Sequence, residues 1–227
     1  IKAKEDNTGY YTKAYEGIVY GVDHGCQIIN CSWGTKETQG FYEKDIVNYA
    51  TVNKNALIVA AAGNDGDESV FFPASLENVL SIGNTNIQDI KYTASNYGIH
   101  IDLCAPGTNI YLAYNGGGYG IPGPGGTSFS SPLVAGCAAL LKSHYPNLNG
   151  VQIGHKLKAT ADNIDTINGN NAYIEKLGSG RVNAYKALLD TTPSIGIIRY
   201  LITDQNDNIF KVGDTISIEA TFMNFLS

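Results

Sequence analysis

Four cysteines among 227 residues are too few for a disulfide framework. Charge is sparse, at 16% of residues, and no Lys/Arg cluster stands out against a net charge of −6. Nucleic acid and anionic membrane surfaces are therefore excluded as expected partners. No apolar run approaches the ~18 residues that a transmembrane helix needs. No initiator Met or signal-peptide pattern opens the chain at Ile1-Lys2-Ala3-Lys4-Glu5. That start reads as the middle of a longer or processed chain, so it specifies no compartment. What the sequence does have is 43% hydrophobic residues, enough for one well-buried domain.

Hydrophobic periodicity predicts an alternation of helices and strands. Tyr11, Ala14, Ile18 and Val22 recur at helical spacing between Tyr10 and His24, with Gly25 placed to end the helix. Cys26–Cys31 reads as a buried strand, Tyr42–Ala50 as a helix, Ala56–Ala62 as a strand, and Asn78–Gly83 and Ile99–Cys104 as two more. Leu57-Ile58-Val59-Ala60 is apolar at every position, as in a sheet covered on both faces. A glycine-rich loop, Gly116–Gly126, precedes the longest helical stretch, Thr127–Tyr145. Helices are also expected at Val151–Ala161 and Asn183–Leu189. Beyond Asp190 the pattern changes to period two, with about three strand candidates. The expectation is an α/β fold in residues 1–190, a three-layer α/β/α arrangement on a mainly parallel sheet. Residues 191–227 are then the truncated beginning of an all-β, sandwich-like domain.

Two segments carry chemistry. Gly126-Thr127-Ser128-Phe129-Ser130-Ser131-Pro132 puts a serine after small residues, at the opening of a helix. There its oxygen faces the positive end of the helix dipole, and its own N–H has no intrahelical partner. Such a serine suits a nucleophile that must stabilise a tetrahedral oxyanion. The ordinary alternative is a helix cap, since Ser and Thr are common there. Ala60-Ala61-Ala62-Gly63-Asn64 ends a buried strand in an amide-bearing turn, where α/β ligand sites form. The ordinary alternative there is a plain turn. Gly118-x-Gly120-x-x-Gly123 matches a dinucleotide fingerprint, but Pro122 and Pro124 interrupt the helix start that it requires. The cysteines have apolar neighbours and no zinc spacing, and read as small hydrophobes.

Together these segments resemble the subtilisin-like serine peptidases. Ser128 matches the nucleophile of the Gly-Thr-Ser-x-x-x-Pro motif, and Asn64 the oxyanion-hole asparagine of Ala-Ala-Gly-Asn. Ser32-Trp33-Gly34 matches the strand that pairs with the substrate backbone. Asp102-Leu103-Cys104-Ala105-Pro106-Gly107 and Gly178-Ser179-Gly180-Arg181-Val182-Asn183-Ala184 match two further recurrent segments. The resemblance spans residues 1–190 and implies a serine endopeptidase acting on polypeptides through an acyl-enzyme. It also implies that Ala61, Ala62 and Gly63, with Ser32–Gly34, flank the primary specificity pocket. Phe71, in Val70-Phe71-Phe72-Pro73, is expected at its floor, and Tyr11 and Trp33 are expected to wall an aromatic pocket further along. A secreted or cell-envelope setting follows from the resemblance alone. The family often binds structural calcium, but no ligand set is evident here; no metal or other cofactor is expected from the residues.

The pattern is incomplete in one respect. The family orders its triad Asp, His, Ser, and no Asp-Thr-Gly or His-Gly-Thr motif occurs in this chain. His24 and His100 fall at the far ends of their strands, the first roughly 20 Å from the active edge. His144 is roughly 24 Å down the Ser128 helix, and His155 lies on a later helix with no catalytic signature. The isolated chain is therefore expected to be inactive, with a non-catalytic peptide-binding module as the alternative. Loss of the strand that ordinarily lies beside Cys26–Cys31 is expected to leave an apolar sheet edge. Either Ile1–Glu5 or a second molecule should then cover it.

Overall fold

The computed structural model describes residues 13–37, 40–121, 123–191, 195–204, 210–213 and 215–224. The chain divides into two units between Asp190 and Thr191.

In the first unit, helix α1 (Ala14–Asp23) buries Ala14, Ile18 and Val22 along one stripe. It ends at Gly25, whose φ of +85° lets Cys26 N–H reach back to Gly21 O and Gly25 N–H to Val22 O. Strand β1 (Ile28–Cys31) follows, then helix α2 (Phe41–Asn48), which widens into a single π turn at Tyr49–Asn53. Strands β2 (Leu57–Ala61), β3 (Val79–Thr85) and β4 (Leu103–Pro106) complete a parallel sheet of order β1-β2-β3-β4. A short antiparallel pair, β5 (Leu112–Ala113) and β6 (Tyr119–Gly120), carries the glycine-rich loop. Helices α3 (Thr127–His144), α4 (Gly150–Ala159) and α5 (Ala184–Leu189) close the unit.

The pleat sorts the core into two layers. Leu57 and Val59 of β2, with Leu80 and Ile82 of β3, pack against Val134, Ala138 and Leu141 of α3 and Ile153 and Leu157 of α4. Ile58 and Ala60 point the other way, onto Ile18 and Val22 of α1 and Ile46 and Val47 of α2. The result is the expected three-layer α/β/α arrangement.

Some boundaries differ from the sequence reading. The strand expected at Ile99–Cys104 begins only at Leu103. Gly98 and Ile101 close a turn first, and Ile99 is left in solvent. The strand ends at Pro106, two residues past the expected Cys104. Cys26 lies ahead of β1 and is exposed. Cys31 and Cys104 are buried, and burial pushes both thiols up to about 12, so they stay protonated. The glycine loop turns through Gly116, Gly117 and Gly118, all at positive φ, and opens no helix until Thr127. That removes the dinucleotide fingerprint.

The two edges of the sheet are unlike. Beside β4, Cys104 N–H donates to Gly180 O at 2.8 Å, and Val182 N–H to Cys104 O at 2.9 Å. No strand flanks the outer side of β1 among the described residues. Ile1–Glu5, one of the two expected to cover that edge, lies outside the described residues.

In the second unit, β7 (Ile195–Thr203) and β8 (Ser217–Asn224) form an antiparallel pair with a register shift between Ile197 and Arg199. Two strands are described where three candidates were read.

The segment that covers β4 is tied down at Asp162. Its carboxylate accepts from Arg181 and Lys186 and, at 2.9 Å, from Asn183 Nδ2. The backbones of Asp162 and Arg181 exchange two hydrogen bonds of 2.8 Å. The Lys186 hydrogen bond is the main reason that the Asp162 carboxyl lies below its ordinary value. Its stabilisation is therefore complete above the unfolded value near 3.9 and is lost as pH falls through the lower folded value. Asp162→Asn is expected to cost about 2 kcal/mol at neutral pH and to flatten this acid-dependent loss. Urea unfolding of both chains at neutral and acid pH measures it; equal stabilities at neutral pH would contradict the assignment.

Candidate active site

Parallel strands bring their carboxyl ends to one edge of the sheet, and the crevice there is the expected ligand site. Past Cys31 and Ala60, the last residues in β1–β2 register, the chain continues as Ser32-Trp33-Gly34 and as Ala61–Asn64. The first turn of α3 joins both segments.

Asn64 is held from α3. Its Oδ1 accepts from Thr127 N–H at 2.9 Å and from Thr127 Oγ1 at 3.1 Å. These two donors fix which end of the amide is which and turn Nδ2 away from Thr127. Thr127 is fully buried and also meets the Gly63 backbone through Oγ1. Ser128, half-buried on the same turn, donates from Oγ to Ser32 O at 3.2 Å. Ser32 Oγ donates in return to Ser128 O at 2.9 Å and lies 3.1 Å from Ser131 Oγ. The turn that bears the nucleophile candidate is thus joined to the segment after β1 through Ser32 and to the segment after β2 through Thr127 and Asn64.

Glycine is required where the turn is tightest. Gly125 has a φ of +106°, and a Cβ there would lie 2.1 Å from Gly107 O. Gly126 N–H donates to that same oxygen, closing the base of the loop that leads to Ser128.

Phe71 lies under the crevice. A Cβ on Gly34 would sit 3.1 Å from the Phe71 ring, and one on Gly63 2.7 Å from the opposite side of that ring. Both flanking segments therefore rest on one aromatic side chain. Thr35 and Phe72 exchange backbone hydrogen bonds of 2.9 and 2.8 Å, which fasten the Phe71 segment to Gly34.

The other residues singled out in the sequence fall as follows. Ala61 and Ala62 are buried, and Ala62 packs in a small core cluster with Ile101, Cys104, Ile164 and Leu177. Trp33 meets Tyr15 edge-on at 5.1 Å and packs on the α1 side of the core. Tyr11 lies outside the described residues.

The histidines are engaged elsewhere. His24 bonds to Tyr20 O and stacks on the Tyr20 ring. His144 meets Tyr145 edge-on at the far end of α3. His100 sits beside Gly98, where burial lowers its imidazole. His155 shares a small cavity with Asp102 and Lys158 at the amino ends of β2 and β3. Burial, with Lys158, pushes its imidazole down to about 4 and leaves it uncharged at neutral pH. Among the described residues, no cluster of His, Cys, Asp or Glu can hold a metal ion.

One supporting residue had no signal in the sequence. Asn96 is fully buried, and its Oδ1 accepts from Asp65 N–H at 2.8 Å and from Gly66 N–H at 3.1 Å. Its Nδ2 donates to Ser69 O. The loop that presents Asn64 is therefore wrapped around a side chain over 30 positions away, and only the contact reveals it.

The model of the subtilase family matches residues 1–184. A thermophilic serine proteinase of Bacillus sp. (strain AK1) is 37% identical over 189 residues, covering 83% of this chain and 44% of that protein. Thermitase of Thermoactinomyces vulgaris is 37% identical over 182 residues, covering 80% of this chain and 61% of its own length. The solved structure of the prenylagaramide maturation protease PagA superposes with a TM-score of 0.68 at 29% identity, covering 77% of this chain and 65% of that one. The chain thus spans 44% and 61% of the length of those two sequence relatives. Its parallel sheet, its serine at the start of α3 and its asparagine after β2 stand where the family match runs, and the chain belongs to the subtilase family.

Proposed function

We propose that this chain supplies the nucleophile and the oxyanion side of a serine endopeptidase site that cleaves polypeptides through an acyl-enzyme. The observation that carries the reading is the Thr127 clamp on Asn64 Oδ1. With Oδ1 held in this way, the amide Nδ2 would serve as one oxyanion donor and Ser128 N–H, in the first turn of α3, as the second. In this role Ser128 Oγ attacks the scissile carbonyl, and the developing oxyanion takes hydrogen bonds from both donors. Backbone groups of Ser32–Gly34 and Ala61–Gly63 would hold the substrate chain, and Phe71 would limit the residue before the cleaved bond to small or medium apolar types. A secreted or cell-envelope setting belongs to the same proposal, by family resemblance.

Ser128 Oγ needs a general base to become a strong nucleophile. Among the described residues its hydrogen bond goes to a carbonyl, and each histidine has other surroundings. The base and its carboxylate partner are therefore proposed to come from outside this chain. The purified chain is expected to hydrolyse peptide amides at no more than a trace rate and to resist a serine-directed phosphonate. Robust turnover that Ser128→Ala abolishes would refute this and require another base.

In a catalytically complete domain carrying this chain, Asn64→Gly is expected to lower kcat by roughly 10²–10³-fold, with KM little changed. That is the size of effect known for loss of one such donor in subtilisin itself. A change confined to KM would remove Asn64 from the oxyanion hole. In the same domain, Phe71→Gly is expected to raise the kcat/KM ratio of Phe over Ala at the cleaved position by about tenfold or more. An unchanged ratio in paired peptide substrates would show that Phe71 does not bound the pocket.

A further inference from the structure

Strand β3 is buried on both faces, yet it carries Asn84 near its carboxyl end, completely shielded from solvent. By alternation Asn84 shares a face with Leu80 and Ile82, which pack against α3. Among the described residues, neither Oδ1 nor Nδ2 of Asn84 has a hydrogen-bond partner. A carboxamide buried with both ends unpaired needs an explanation, because nearly all buried polar groups are satisfied. Asn84 has no apolar reason to be there, and its backbone already bonds normally to Ser95 Oγ and Tyr92 N–H.

Its surroundings define what can satisfy it. A Cβ on Gly107 would lie 2.6 Å from Asn84 Oδ1 and 2.2 Å from Ser130 Oγ, so these two oxygens crowd over the same α-carbon. Ser130 is itself fully buried, on the first turn of α3, and its hydroxyl hydrogen goes to Ala105 O at 2.9 Å. Its oxygen lone pairs therefore remain as acceptors. A group that satisfies this corner must donate to Asn84 Oδ1 and accept from Asn84 Nδ2, and Ser130 Oγ can accept a further hydrogen from it. A metal cation or ammonium cannot accept from Nδ2, and an anion cannot donate to Oδ1. A water molecule can do all three.

We propose that Asn84 and Ser130 form an internal water-binding site between the ends of β3 and β4 and the first turn of α3. The water gives one hydrogen to Asn84 Oδ1 and the other to Ser130 Oγ. It takes the Nδ2 hydrogen that lies on the Oδ1 side. Three hydrogen bonds is the usual complement of a buried water. The site sits under the turn that bears Ser128 and does not depend on any catalytic role for that residue.

The full chain, labelled with nitrogen-15, tests this in solution. The Asn84 side-chain amide protons are expected to show a cross-peak to a long-lived water. Deuterium relaxation dispersion is expected to lose one long-lived water in Asn84→Leu, with the fold retained. A crystal structure at atomic resolution is expected to place that water within hydrogen-bond distance of Asn84 Oδ1, Asn84 Nδ2 and Ser130 Oγ. Four results would overturn the proposal: no cross-peak, an unchanged water count in a folded Asn84→Leu chain, a cation with oxygen-only ligands at the site, or a direct Asn84–Ser130 hydrogen bond in the crystal. If Asn84→Leu does not fold, the cross-peak and the crystal density of the unsubstituted chain still decide.

Discussion

Thr127 joins two pieces of chain that are each anchored separately, the Asn64 loop on Asn96 and the Ser128 turn on Ser32 and Gly107. The turn after β2 and the first turn of α3 are both backbone ends with unpaired polar groups, and each supplies what the other lacks. Thr127 N–H, an orphan at the helix start, finds its acceptor in Asn64 Oδ1 at 2.9 Å. In this part-buried setting such a charge-free pair contributes modestly to stability, on the order of 1 kcal/mol. Its larger effect is geometric, because the amide end that faces away is fixed by the end that is held. A threonine whose hydroxyl also meets the Gly63 backbone leaves the Asn64 turn little freedom to rotate.

The same economy runs through the glycines of the site. Gly125 allows two backbones to meet, Gly107 admits two side-chain oxygens, and Gly34 and Gly63 admit one aromatic ring. Each lets the Ser128 turn, the Asn64 turn and the Phe71 ring approach more closely than any side chain permits. The sheet below supplies the rigidity these contacts require. Its central strands β2 and β3 are buried along their whole length, and α3 packs across them.

Much of this was legible in the sequence wherever one local pattern decides structure. Leu57–Ala61 announces a two-sided strand because every position is apolar, and α1 because Ala14, Ile18 and Val22 share a stripe. Ser128 and Asn64 stood out only once their motifs were joined by family resemblance; periodicity alone leaves a cap and a turn. What stayed hidden depends on partners distant in sequence. Asn96 reads as one more loop asparagine until its contacts with Asp65 and Gly66 are seen. Asn84 falls just past the strand read as Asn78–Gly83, whereas β3 runs on to Thr85 and buries it, since nothing local tells a buried amide from an exposed one. The late start of β4 had the opposite cause. Ile99-His100-Ile101 alternates like a strand, yet the turn at Gly98 diverts it and leaves Ile99 in solvent.

The unequal burial of the cysteines has a practical side. Cys31 and Cys104 are sealed in the core, and Cys137 is half-buried with its thiol raised by burial. Cys26 alone among the four is exposed, just ahead of β1 at the side of the sheet that no described strand flanks. A maleimide dye or nitroxide offered to the folded chain should therefore attach at one place. From there it would report, by quenching or by spin–spin distance, what comes to lie along β1. The crevice at the other end of the strand would stay untouched.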